Sequence, residues 1–150
     1  MKYALIALLS AATDSIFKDL FERKRKNVVK NKGFAKGRGS DKPGFVAFVS
    51  AVVTLLAGIA LVWAPAFKSD DDPSMSGIER KFKDMYRTGM SFIVGGGLSN
   101  SFDRVKKRYV VDYLPAGNYV YNLSDVFIYV GTFLSTFAIL ETHDLNAKGI

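Results

Sequence analysis

The 150-residue chain has no cysteine and one histidine, His143. Without cysteine there are no disulfides, thiolate metal ligands or cysteine nucleophiles. One histidine rules out a multi-histidine metal site. With 49% hydrophobic residues the chain is too apolar for a disordered tail. Secreted disulfide scaffolds and zinc domains are excluded with it. The length suits one domain.

Charge is scarce over long distances. Pro43 to Phe67 is a run of 25 residues with no charged side chain. About 20 apolar residues cross the hydrocarbon core as a helix, and Trp63 near one end suits an interfacial anchor. A fully buried core helix of that length is hard to wrap in so small a globule. Three further windows, Tyr3–Thr13, Thr88–Phe102 and Val126–Leu140, are also free of charge. Each spans only if its helix continues past a charged residue, and ionisable groups in such places usually mark function. Gly89, Gly95, Gly96 and Gly97 allow close helix contact in lipid. The expected fold is an all-α membrane protein with four transmembrane helices, about 2–20, 44–66, 86–102 and 123–141. A small extramembrane segment separates the first two. Residues 68–87 read as a loop, Asp70-Asp71-Asp72-Pro73, and then an amphipathic surface helix from Ile78 to Tyr86. Lys2, an apolar run and Ala11-Ala12 also match a cleavable leader. Against that, Asp14 and Lys18 lie four apart on one helical face, as in a helix that continues with a polar stripe.

The positive charge is concentrated. Residues 18–42 hold ten basic and three acidic residues, and the remainder of the chain is neutral. Beside transmembrane helices, attraction to anionic lipid head groups is expected for this stretch, and no nucleic-acid partner. The positive-inside rule alone would keep such a loop in the cytoplasm.

The chemically informative stretch runs from Gly95 to Asp125. Asp112 falls shortly after the third span and Asp125 at the start of the fourth. Consecutive helices joined by a short loop emerge on the same face, so the two carboxylates can meet at one depth near the water boundary. Two close carboxyls share a proton. The ionised member takes a proton from water, and the protonated one donates to a peptide carbonyl. Such a pair hydrolyses an amide without metal, cysteine or histidine. Spacing alone leaves open whether Asp112 and Asp125 do this or cap helices and mark interfaces; Asp125 after Asn122 also reads as a helix cap.

Gly95-Gly96-x-x-x-Asn100-x-x-Asp103-Arg104, then Val110-Val111-Asp112, then Asn122-x-x-Asp125 resembles the bacterial lipoprotein signal peptidase (signal peptidase II) family of four-helix membrane aspartic proteases. Upstream, Asp14-Ser-Ile-Phe-Lys18 resembles the family's Asp-x-x-x-Lys in the first helix. Asn31-Lys-Gly33-Phe-Ala35 resembles its Asn-x-Gly-Ala-Ala motif. The four blocks stand in the family's order along nearly the whole chain, which implies one integral membrane peptidase domain over 1–150.

The resemblance implies that Asp112 and Asp125 are the catalytic dyad and that Asn122 orients it. Asn31, Gly33, Asn100 and Arg104 would belong to the substrate site. Asp14 and Asp103 would be supporting residues, paired with Lys18 or Arg104. The implied reaction removes the signal peptide from prolipoproteins, before a cysteine carrying diacylglyceryl. The site would face outward from the bacterial cytoplasmic membrane, and no cofactor is needed.

Four departures stand out. Phe34 replaces a small residue, the Asp112–Asp125 segment is short, Ser124 stands where alanine is common, and the basic loop opposes the family orientation. An intramembrane serine protease is disfavoured, because His143 follows the last span. A non-catalytic relative that binds lipidated or signal peptides is the alternative; the presence of both aspartates argues against it.

Overall fold

A computed structural model describes the chain apart from residues 25–27, 34–38, 64–66, 68–71 and 149–150 and the side chains of 146 and 148. Phe34, Ala35 and the Asp70-Asp71 pair lie outside the described residues. The order is α1 (Lys2–Arg23), β1 (Val29–Asn31), α2 (Pro43–Trp63), α3 (Gly77–Lys107), β2 (Val110–Asp112), β3 (Leu114–Ala116), β4 (Tyr119–Tyr121) and α4 (Leu123–Lys148).

Local sequence explains the helix ends. Pro43 opens α2 at a position whose N–H has no intrahelical partner. A reciprocal cap opens α3. Glu79 N donates to Ser76 Oγ at 3.2 Å, and Ser76 N to Glu79 Oε2 at 2.7 Å. At its far end Arg108 turns the chain in the left-handed region, φ 66°, and returns its N–H to Arg104 O.

The 31-residue α3 is the hub, packed against α1, α2 and α4. Its glycine triplet explains how three neighbours approach so closely. Successive helical residues point about 100° apart. A β-carbon on Gly95 would meet Ala7 O of α1, one on Gly96 Ser124 O of α4, and one on Gly97 Thr54 Oγ1 of α2. Each glycine serves a different partner.

Polarity is inverted relative to a water-soluble globule. Leu5, Leu8 and Ile16 of α1, Phe48, Leu55 and Leu56 of α2, and Phe133 and Leu140 of α4 lie on the outside. Asp14, Lys18, Ser99, Asn100, Asn122 and Ser124 lie inside. Among the described residues, α2 and Leu123–Leu145 of α4 are long and apolar enough to cross a membrane. Only 11% of the apolar stretch of α2 is buried, unlike the core helix of a soluble protein.

The structure amends the sequence reading in three places. Ile78–Tyr86 is not a separate surface helix but the opening of α3, because no glycine or proline interrupts the chain between Gly77 and Gly89. The helices around the site also run longer than the charge-free windows, since charged residues continue α1 to Arg23 and α4 to Lys148. Finally, the fold is not purely helical. β1 pairs antiparallel with β2, with Val29 opposite Asp112 and Asn31 opposite Val110. β3 and β4 form a hairpin turned at Gly117, whose φ is 59°. Strands of three residues are too short to leave a period in the sequence.

Candidate active site

The ends of α1 and α3, the start of α4, and both small sheets converge at one end of the bundle. Asp112 closes β2 and is 3% exposed. Asp125 lies in the first turn of α4. Pairing with β2 brings Asn31 of β1 beside Asp112, although 81 residues separate them.

Among the described residues, each of the four carboxylate oxygens has a donor. Asn122 Nδ2 donates to Asp112 Oδ1 at 2.7 Å and Asn31 Nδ2 to Asp112 Oδ2 at 3.1 Å. Asn100 Nδ2 donates to Asp125 Oδ1 at 3.1 Å and Asn122 N to Asp125 Oδ2 at 3.2 Å. The other end of each amide is fixed too. Asn31 Oδ1 accepts from Gly33 N, Asn122 Oδ1 from Asp125 N, and Asn100 Oδ1 from Lys18 Nζ. Flipping any of them would set oxygen against carboxylate and NH₂ against a donor. The three amides are thereby locked with their donors toward the acid pair.

Burial pushes the Asp112 carboxyl up to about 6. The nearby Asp125 charge raises it further, while the amides of Asn122 and Asn31 oppose the rise.

The pair opens into a cavity of about 620 Å³, lined also by Asn31, Lys32, Asn100, Arg104 and Asn122. Its far wall is aromatic. Tyr119 and Tyr121, two apart on β4, share a face, and Tyr129, one α4 turn beyond Asp125, packs edge-on to Tyr121 at 6.4 Å. Arg104 Nη2 donates to Gly33 O at 3.1 Å, fixing the turn that carries Asn31.

The sequence-derived residues therefore divide into two groups. Asp112, Asp125, Asn31, Asn100, Arg104 and Asn122 line the cavity, with Gly33 holding its edge. Asp14, Lys18 and Asp103 lie behind it. Lys18, 1% exposed, sits 2.7 Å from Asp14 Oδ2 and 3.3 Å from Asp103 Oδ2. A buried ammonium without such partners would be costly. Sequence reasoning misses Ser99 and Tyr113, both bonded to Asp14, and takes Ser124 for a mild change. Ser99 and Ser124 each adjoin a motif asparagine or aspartate, which is a usable signal. Tyr113, directly after Asp112, carries the same signal.

An inside-out helix bundle has the form of a membrane protein, and this one holds a hydrogen-bonded pair of carboxylates at one end. Solved structures share the fold. A bacterial membrane enzyme determined in meso at 2.3 Å matches with TM-score 0.68 and 23% identity over 93% of this chain and 88% of that one. A second, at 1.9 Å, gives 0.64 and 22% over 93% and 92%. The family model described as Signal peptidase (SPase) II matches residues 2–141, and the chain belongs to that family.

Curated relatives are the lipoprotein signal peptidases of Caldicellulosiruptor bescii, 43% identical over 43% of each chain, and Caldanaerobacter subterraneus subsp. tengcongensis, 32% identical over 71% of this chain and 63% of that one. The match thus spans less than two thirds of the length of either. That of Clostridium tetani is 28% identical over 84% of this chain and 73% of that one.

Proposed function

We propose that the chain is an aspartic endopeptidase that removes the signal peptide from diacylglyceryl-modified prolipoproteins, cutting before the lipidated cysteine. The observation that carries this reading is the acid pair itself, with four oxygens held by four donors at the mouth of a cavity. Asp112 and Asp125 share one proton. The ionised partner draws a proton from water, the water oxygen attacks the scissile carbonyl, and the protonated partner donates to the carbonyl oxygen. Collapse breaks the C–N bond, and the proton passes to the departing amine. The pair works as a unit, so neither role is given to one residue. Asn31, Asn100 and Asn122 hold the geometry; Arg104 and the tyrosine wall receive the peptide and its apolar lipid.

In the same reading all four helices span the bacterial cytoplasmic membrane as one domain, with the acid pair at the outer face. Exposed basic residues of the 18–42 stretch, among them Arg23, Lys24, Lys30 and Lys42, rest on anionic head groups, at about 1 kcal/mol per charge near the surface.

The test is cleavage of a diacylglyceryl-modified prolipoprotein peptide in detergent. Wild type is expected to cut, and Asp112→Asn and Asp125→Asn to leave the peptide intact while remaining folded. Cleavage by either variant would defeat the acid-pair mechanism. Binding of the peptide without cleavage by wild type would instead mark a non-catalytic relative.

A further inference from the structure

Asp14 lies behind the cavity, fully buried, yet four donors converge on it. Lys18 Nζ, Ser99 Oγ and Ser124 Oγ reach Oδ2 at 2.7, 2.6 and 2.5 Å. Tyr113 OH reaches Oδ1 at 2.9 Å. Lys18 alone balances the charge. Two of the three hydroxyls have a different significance, because of where they sit in the chain: Tyr113 directly follows Asp112, and Ser124 directly precedes Asp125.

We propose that Asp14 is a positioning residue that clamps the two segments carrying the acid pair, through the hydroxyls of Tyr113 and Ser124. The proposal rests on the acid-pair reading above.

The geometry follows from backbone periodicity. Neighbours along an extended chain face opposite ways, so while Asp112 faces the cavity, Tyr113 faces back into the bundle. Neighbours on a helix differ by about 100°, so Ser124 turns toward α1 while Asp125 faces Asn100. The phenol also accepts from Leu123 N at 3.2 Å, one of the helix N–H groups with no intrahelical partner. One oxygen thus joins α1, the end of β2 and the start of α4. A second path reaches the pair from the same cluster: Lys18 Nζ donates to Asn100 Oδ1 at 2.8 Å, and Asn100 donates to Asp125. Tyr113 is 4% exposed and Ser124 0%, so water does not replace either hydroxyl. The Tyr113 ring is held independently, stacked on Phe21 at 4.7 Å. Tyr113→Phe therefore removes the hydroxyl and leaves the ring in place.

The experiment measures kcat and KM of the full chain in detergent on the lipidated peptide, for Tyr113→Phe and Ser124→Ala, with and without Asp14→Asn. Each single variant is expected to lose roughly tenfold in kcat, the worth of one hydrogen bond to a charged group. KM is expected to hold within about twofold, as for loss of a transition-state interaction only. With Asp14→Asn already present, Tyr113→Phe should cost no more. Wild-type kcat in both singles, or the same loss in either background, overturns the proposal. Should Asp14→Asn fail to fold, the double variant Tyr113→Phe/Ser124→Ala decides. A combined loss that departs from the product of the singles supports the shared clamp, and a simple product overturns it. If wild type leaves the peptide uncut, the acid-pair reading has failed by itself. Amide exchange at Leu123 then decides the clamp: faster in Tyr113→Phe supports it, unchanged overturns it.

Discussion

Three asparagines do what a metal ligand shell does elsewhere, because each amide presents a donor to a carboxylate while its oxygen is tied down. Asp112 gives this arrangement a pH signature. Its carboxyl titrates at about 6 in the folded chain against an ordinary 3.8, chiefly through burial. Since the folded state holds the proton more tightly, stability is greatest below the ordinary value and declines as pH rises through about 6. In the proposed mechanism activity needs one proton on the pair, so kcat/KM is expected to fall as pH rises through that value; a flat profile from pH 4 to 8 would count against the pair. Asp112→Asn removes the ionised form altogether. Its Tm relative to wild type is expected to be higher at pH 8 than at pH 5, measured by thermal unfolding in detergent. At this scale the motifs locate the acid pair, its asparagines and Lys18. They do not reveal what Tyr113 and Ser124 do beside the two aspartates, because the shared partner Asp14 lies 99 and 110 residues away.

At the scale of elements, the glycine triplet is the clearest constraint. Gly96→Ala would press a β-carbon to 2.5 Å from Ser124 O, a backbone atom at the root of the acid pair. Overpacking costs about 1–3 kcal/mol, so a lower Tm and slower cleavage are expected together. Gly58→Ala on α2 meets nothing within 4 Å and should be neutral or gain up to about 1 kcal/mol from helix propensity. Equal destabilisation of the two variants would deny the triplet its packing role. Charge-free windows place the four helices but not their ends, because α1 and α3 carry charged residues inside a protected bundle. Ser76-x-x-Glu79 has the spacing of a reciprocal cap, whereas the β1–β2 pairing leaves no mark in the sequence, because it joins two strands of three residues each, Val29 to Asp112 and Asn31 to Val110.

At the scale of the whole molecule, the absence of cysteine makes topology directly measurable. Ser40→Cys and Ser74→Cys place exposed thiols on the α1–α2 and α2–α3 connections. A maleimide that does not cross the membrane is expected to label the first in intact cells and the second only after lysis. The reverse pattern would invert the proposed orientation. The pairing of β1 with β2 adds a constraint on how the chain enters the bilayer. It stitches the basic stretch to the segment ending in Asp112, so the excess charge and the acid pair must emerge on the same side. In the proposed orientation that charge crosses toward the positive side of an energised membrane, at about 2.3 kcal/mol per elementary charge per 100 mV. Insertion therefore does electrical work against the membrane voltage, and a depolarised cell is where the chain reaches its working orientation most readily.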